Sequence, residues 1–139
     1  MSRAIEKALR RHWIESDNVR DKLSGRIYAG RAPDSATLPY ALLSTISVNR
    51  VYHVEGESGT AEAIVQCNIY GDSLREVDDI AELIRMRTSG YQGAAGGETI
   101  QTALIIREAS EAEEPADSSG GWIYRHSRGF QLFFKTTEP

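Results

Sequence analysis

The residues of this chain that could do chemistry are three histidines, one cysteine, a scatter of serines and two adjacent carboxylate pairs. His12, His53 and His126 each lack a second ligand type at the i, i+4 helical spacing that metal sites use, so no metal site is expected. No serine sits in a Gly-x-Ser-x-Gly nucleophile elbow; Ser58, in Gly56-Glu57-Ser58-Gly59, misses that pattern by one residue. Gly93-Ala94-Ala95-Gly96-Gly97 has the glycines of a phosphate loop but neither its Lys-Ser/Thr nor its place ahead of a helix, and reads as a flexible linker. Asp78 and Asp79 are neighbours on a helix, about 100° apart around its axis, and do not converge on one substrate. Glu113-Glu114 reads as solvated surface. Cys67 falls in an apolar alternation and reads as a small buried hydrophobe. The expectation is a protein with no catalytic, cofactor-binding or metal-binding residue, and not an enzyme.

The composition supports a binding role without nucleic-acid grip. Of 139 residues, 40% are hydrophobic and 26% charged, as in an ordinary folded domain, and the length suits one domain spanning residues 1–139. The net charge is −4, and the basic residues look scattered, with only Arg10 and Arg11 adjacent. A protein that holds DNA by its phosphates carries a basic excess or stripe instead. A single cysteine forms no intramolecular disulfide, which suits a reducing cytoplasm or a particle assembled there. Met1 to Ala4 leads into an amphipathic stretch, with no apolar signal core and no run near the roughly 20 residues that cross a bilayer, so neither export signal nor membrane contact is expected.

The elements that must position these side chains follow from periodicity. Ile5, Ala8, Leu9, His12 and Trp13 lie on one side of a helix predicted over about Ser2 to Ser16, with Arg3, Glu6, Lys7 and Arg10 opposite. Val19 to Leu23 predicts a short helical turn and Arg26 to Ala29 a short strand. Pro39 biases Leu38 toward extended backbone ahead of a strand over Tyr40 to Val54. From Thr60 to Tyr70 the alternation is clean, with Ala61, Ala63, Val65, Cys67 and Ile69 on one face. Ser73 and Glu76 have capping-box spacing, and Leu74, Val77, Ala81 and Ile84 form the inward stripe of the helix that follows, widened by Ile80 and Leu83. Glu98 to Ala109 predicts a strand with Ile100, Thr102, Leu104 and Ile106 on one face, and Trp122 to Lys135 a long strand carrying Tyr124, Phe130, Leu132 and Phe134 in one phase. The expected fold class is α+β: an antiparallel β-sheet of about four to five strands with two main helices packed on one face.

Two segments stand out as contact surfaces. Arg31 to Pro39 is a loop with prolines at both ends. Glu108, Glu111, Glu113, Glu114 and Asp117 crowd into ten residues that read as a hairpin loop, and several copies brought together would make a negative rim that repels DNA over the ~8 Å Debye length. Arginine outnumbers lysine, a bias that favours protein interfaces. The candidate assembly contacts are Arg31, Pro33, Asp34, Leu38, Pro39, Tyr40, Glu111, Glu113 and Glu114.

The order of these features resembles the tail-completion, or tail-terminator, proteins of siphophages and related prophage-derived particles. The resemblance is carried by the amphipathic helix Ala4 to Ile14, the strand Ile27 to Ala29 and the Leu38-Pro39-Tyr40 lead into the next strand. It continues through Ala63 to Gly71, the helix Ser73 to Arg87 and the closing strand Tyr124 to Phe134. It implies a small α+β subunit of a homohexameric ring at the tail–neck junction of a virion. That ring would cap the major tail tube protein, meet head-completion or connector proteins, and pass DNA without binding it specifically. The neighbouring alternative is a head-side neck adaptor or stopper ring. A non-viral ligand-binding domain or hydrolase is the alternative from another class, and it would need a convergent polar cluster. The acidic stretch from Ser110 to Ser119 has no counterpart in the resemblance.

Overall fold

Ile5, Ala8, Leu9, His12 and Trp13 do form one buried side of a helix, α1 (Ala4–Ile14), in a computed structural model that describes residues 4–33, 36–53, 56–95, 98–113 and 123–136. After it come α2 (Asp17–Leu23), β1 (Ile27–Ala29), β2 (Tyr40–His53), β3 (Gly56–Gly71), α3 (Leu74–Thr88), β4 (Gly93–Ala95), β5 (Glu98–Glu113) and β6 (Ile123–Thr136). The strands form one sheet in the order β1-β2-β3-β6-β5-β4. The α+β class stands, but two details are corrected. The sheet has six described strands instead of four to five. It is also not purely antiparallel, because residues 30–39 carry the chain back so that β2 runs parallel to β1.

A single apolar core lies between the sheet and the helices. Val19 and Leu23 of α2, and Val77, Ile80, Ala81 and Ile84 of α3, meet the inward residues of the central strands there. Strand alternation is cleanest in β3, where Ala61, Ala63, Val65, Cys67 and Ile69 are all buried. Phe130, Leu132 and Phe134 of β6 continue that layer, opposite Val65, Ala63 and Ala61. Burial pushes the Cys67 thiol up to about 12, although the charge of Arg128 pulls the other way, so it is an inert packing residue at neutral pH.

Several expectations fail locally for identifiable reasons. In β5, register shifts at Ile100/Thr102 and Ile105/Arg107 change the strand's phase. The inward residues are therefore Ile100, Ala103 and, in part, Ile105, whereas Leu104 and Ile106 are 44% and 49% exposed. Glu6, expected on the solvent side of α1, is buried, and its Oε1 accepts from the Thr45 N–H at 2.6 Å. β1 ends opposite Leu43, so the next outward amide of β2 takes its acceptor from this side chain. Leu74 opens α3 one turn ahead of buried Val77 and is exposed. The presumed linker at Gly93–Ala95 is β4, paired with Ile100, Thr99 and Glu98.

Helix α3 starts as its sequence predicts. Ser73 Oγ accepts from the Glu76 N–H at 3.1 Å, while the Glu76 carboxylate reaches back one residue further than the usual box, to the Asp72 N–H. Its far end is locked to α1. Trp13 Nε1 donates to Thr88 Oγ1 at 2.7 Å, and His12 Nε2 donates to the Arg87 carbonyl at 3.0 Å. Arg87 Nε in turn donates to the His12 carbonyl at 3.1 Å. The His12 ring also lies 3.8 Å from that of Tyr91.

Candidate assembly surface

The proline-bracketed loop is held by backbone carbonyls and stacked rings. Arg26 Nε donates to the Pro39 carbonyl at 3.0 Å and its Nη2 to that of Leu38 at 3.4 Å; the Leu38–Pro39 peptide is cis. Gly30, at φ +85°, donates its N–H to Leu43, closing the turn after β1. Tyr40 stacks on Tyr70 at 5.0 Å and meets Tyr28 edge-on at 5.9 Å, so three tyrosines anchor the loop's far end to β1 and β3. Of the predicted contact residues, Arg31 and Pro33 are exposed and Leu38, Pro39 and Tyr40 half-buried; Asp34 lies outside the described residues.

Arg31 belongs to a second feature that sequence order concealed. Lys7, Arg10, Arg11 and Arg31 line an open cleft whose floor is β1. Arg10 Nε donates to the Ile27 carbonyl at 2.6 Å, holding its guanidinium over the strand. Arg31 thus joins the basic side chains of α1 at one edge of the sheet. The spacing of Lys7, Arg10 and Arg11, i, i+3 and i+4 on one helix, was the available signal; Arg31 joins only through the fold.

At the opposite edge, the acidic segment is a strand for part of its length. Glu108, Glu111 and Glu113 are β5 residues, in register with Arg128, Arg125 and Ile123 of β6, so the reading of Ser110 to Glu113 as loop is corrected. Glu114 and Asp117 lie outside the described residues.

Beneath that edge is the convergent polar cluster that the sequence did not reveal. Asp78 of α3, Ser110 of β5 and His126 of β6 meet with Asp78 Oδ1, Ser110 Oγ and His126 Nδ1 mutually 2.8 Å apart. Burial pushes the Asp78 carboxyl up, but hydrogen bonds from His126 and Ser110 and the positive field of His126 and Arg128 outweigh it and hold it below the usual carboxylate value. Next to it, buried Arg128 donates to the Ala81 carbonyl at 2.7 Å and pairs with Glu108. Serine, histidine and aspartate are the residues of a hydrolase triad, but the arrangement differs. A triad places the serine on one ring nitrogen and the carboxylate on the other. Here both crowd Nδ1, while Nε2 is buried with no partner among the described residues. The cluster clamps α3 to the sheet.

The sheet face away from the helices mixes a polar network with apolar side chains such as Leu42, Ile64 and Leu104. Asn68 Oδ1 accepts from Gln66 at 3.0 Å and from Ser127 at 2.7 Å, and Gln131 Nε2 donates to Glu62 at 2.8 Å. Among the described residues, no group of three or more His, Cys, Asp or Glu side chains is placed to hold a metal ion.

Comparison with known proteins agrees with this architecture. No curated protein matches the sequence. A chain from the virion of a native gene transfer agent particle shares the fold, with a TM-score of 0.76 at 13% identity over 95% of each chain. A second solved chain matches with a TM-score of 0.50 and 14% identity, over 98% of this chain and 93% of that one. The sequence profile of the family described as tail completion protein gp17 matches residues 7–115, most of the chain. The protein therefore belongs to the tail completion protein gp17 family and is a structural component of the virion tail.

Proposed function

We propose that this tail component is the subunit of a closed ring, hexameric as its resemblance to tail terminators implies, that caps the finished tail tube. The ring stops further addition of tube protein and presents its other side to head-completion or connector proteins. DNA passes through it without specific binding. The subunit works by contact, not by catalysis or a bound cofactor.

The observation that carries the reading, beyond family membership, is the unlikeness of the two sheet edges. One carries a basic cleft over β1; the other, where β5 runs on past its short pairing with β4, carries the start of the acidic stretch. A ring needs two different complementary patches on each subunit, because a single self-complementary patch stops at a dimer. Arg31, Pro33, Asp34, Leu38, Pro39 and Tyr40, with Glu111, Glu113 and Glu114, are the proposed contacts to neighbouring subunits or the tube.

Co-purification tests the reading. The protein should travel with isolated tails and be visible by electron microscopy as a terminal ring, with a mass corresponding to several copies. Recovery on DNA-filled heads and not on tails would overturn it in favour of a head-side adaptor or stopper.

A further inference from the structure

We infer that the basic cleft over β1 is a docking site for a short acidic segment of another protein, held in extended form along the free edge of the strand. The inference stands on the cleft and on the chain's place among the proteins of a virion tail, and does not need the ring. The cleft carries one sign of charge. Lys7, Arg10, Arg11 and Arg31 line it and no carboxylate does, on a chain whose acids outnumber its bases by 20 to 16. Among the described residues Lys7 has no acidic partner, and Arg10 uses one N–H on the Ile27 carbonyl. Arg11 reaches Glu15 at 3.6 Å, with both side chains well exposed, which is a weak surface pair. Cations gathered at one edge repel each other, and an anionic partner relieves that repulsion.

The floor favours a polypeptide over a phosphate chain. Gly30 N–H donates to the Leu43 carbonyl and Ala41 N–H to the Arg26 carbonyl, so alternation turns the backbone groups of Ile27 and Ala29 to the open edge. Ile27 is already engaged there: its N–H donates to the Gly25 carbonyl and its own carbonyl accepts from Arg10. Ala29 presents one N–H and one C=O. An extended backbone answers both, whereas a phosphate oxygen only accepts and is repelled by the Ala29 carbonyl. Size agrees. The three residues of β1 span about 10 Å, less than the ~12 Å width of one major groove of duplex DNA.

Charge then selects the segment. With one N–H and one C=O left to share, the backbone supplies little affinity, and recognition falls to the side chains. Lys7 and Arg11 stand one turn apart on α1, about 6 Å along its axis. Acidic residues at alternate positions of an extended chain share a face at about 7 Å. Those spacings are close enough for each carboxylate to find its own cation. Single exposed ion pairs contribute little, but a set of them partly withdrawn from water in a contact fixes register and partner.

Fluorescence polarisation with the full chain tests the site. The probes are labelled peptides Glu-Val-Glu-Val-Glu, Gln-Val-Gln-Val-Gln and Lys-Val-Lys-Val-Lys, and a short DNA duplex supplied at equal concentration of charge. The glutamate peptide should bind one to one, and the glutamine peptide at least tenfold more weakly. Lys7→Glu with Arg11→Glu, both exposed on α1, should weaken the glutamate peptide at least tenfold and strengthen the lysine peptide. That gain also shows that the variant folds. Ala29→Pro removes the outward N–H without touching the ladder to β2 and should weaken the glutamate peptide several-fold. The inference is overturned if the glutamate peptide fails to bind, binds no better than its glutamine counterpart, or is indifferent to either variant. It yields to a phosphate backbone if the duplex binds more tightly than the glutamate peptide and is lost in the charge-reversed variant. It yields to a second copy of the chain if that charge reversal lowers the mass of the protein alone in solution.

Discussion

Replacing Thr88 by Val should destabilise the protein far more than the loss of one exposed hydroxyl would suggest. Thr88 and Trp13 are both fully buried, and the Thr88 hydroxyl is the acceptor for the indole N–H at 2.7 Å. Valine keeps the shape and strands that N–H without water. A buried donor left unmade costs about 1–3 kcal/mol. For a domain of this size each kcal/mol moves Tm by roughly 3–5 °C, so a fall of about 6–10 °C is expected at the middle of that range. Trp13→Phe removes the donor and some packing and should cost about 2–3 kcal/mol. The double variant should be more stable than the sum of the two by about 1 kcal/mol or more, because the second change removes a group the first had already orphaned. Calorimetry or circular dichroism melts of the four proteins give the cycle. Additivity within about 0.3 kcal/mol would refute the hydrogen bond and, with it, the lock that keeps α1 and its basic side chains over β1.

Three further outcomes follow. Burial lowers the His12 pKa, as does the charge of Arg87, against the opposing effects of its bond to the Arg87 carbonyl and of Glu15. The folded value lies below the unfolded one, so this residue's contribution is fully present above about pH 6.5 and lost as the pH falls through the folded value. Melts between pH 7.5 and 5 should show that loss, and it should flatten in His12→Gln; an unchanged slope would place the titration elsewhere. Cys67 should resist a thiol reagent in the native state and react only as fast as the protein unfolds, with labelling at the rate of a free peptide as the contrary result. A Cβ at Gly71 would stand 2.5 Å from Glu76 Oε1 and 2.9 Å from Val77 Cγ1, disturbing the cap of α3 and the core together. Gly71→Ala should therefore cost about 1–3 kcal/mol in a denaturant titration, whereas an unshifted midpoint would mean that both neighbours yield freely.

How much of this was legible in the sequence depended on whether a pattern was local. The stripes of α1 and α3, the alternation of β3 and the Ser73 cap each rest on residues within one or two turns, and they emerge as read except at Glu6, which is buried, and Leu74, which is exposed. The phase of β5 did not, because a bulge inserts a residue that no composition marks, turning Leu104 and Ile106 outward. Gly93 to Ala95 lacks the β-branched residues that announce a strand and gains its place only from β5 alongside. The parallel pairing of β1 depends on how residues 30–39 return the chain. The candidate surface was half visible. Its acidic and proline-bracketed segments are continuous in sequence and were identified. The basic cleft joins Arg31 to one face of α1, and the Asp78–Ser110–His126 cluster joins residues up to 48 positions apart, so both exist only once the chain is folded.

The register shifts beside Ile46 and Ile106 have a consequence for the subunit before it meets its tail. β1 and β4, three residues each, cover only part of β2 and β5, and long bare strand margins invite indiscriminate stacking between molecules. A kink in each margin spoils the straight run that a stray strand would need. A margin broken in this way offers a passing strand of another copy only a few residues in line at a time.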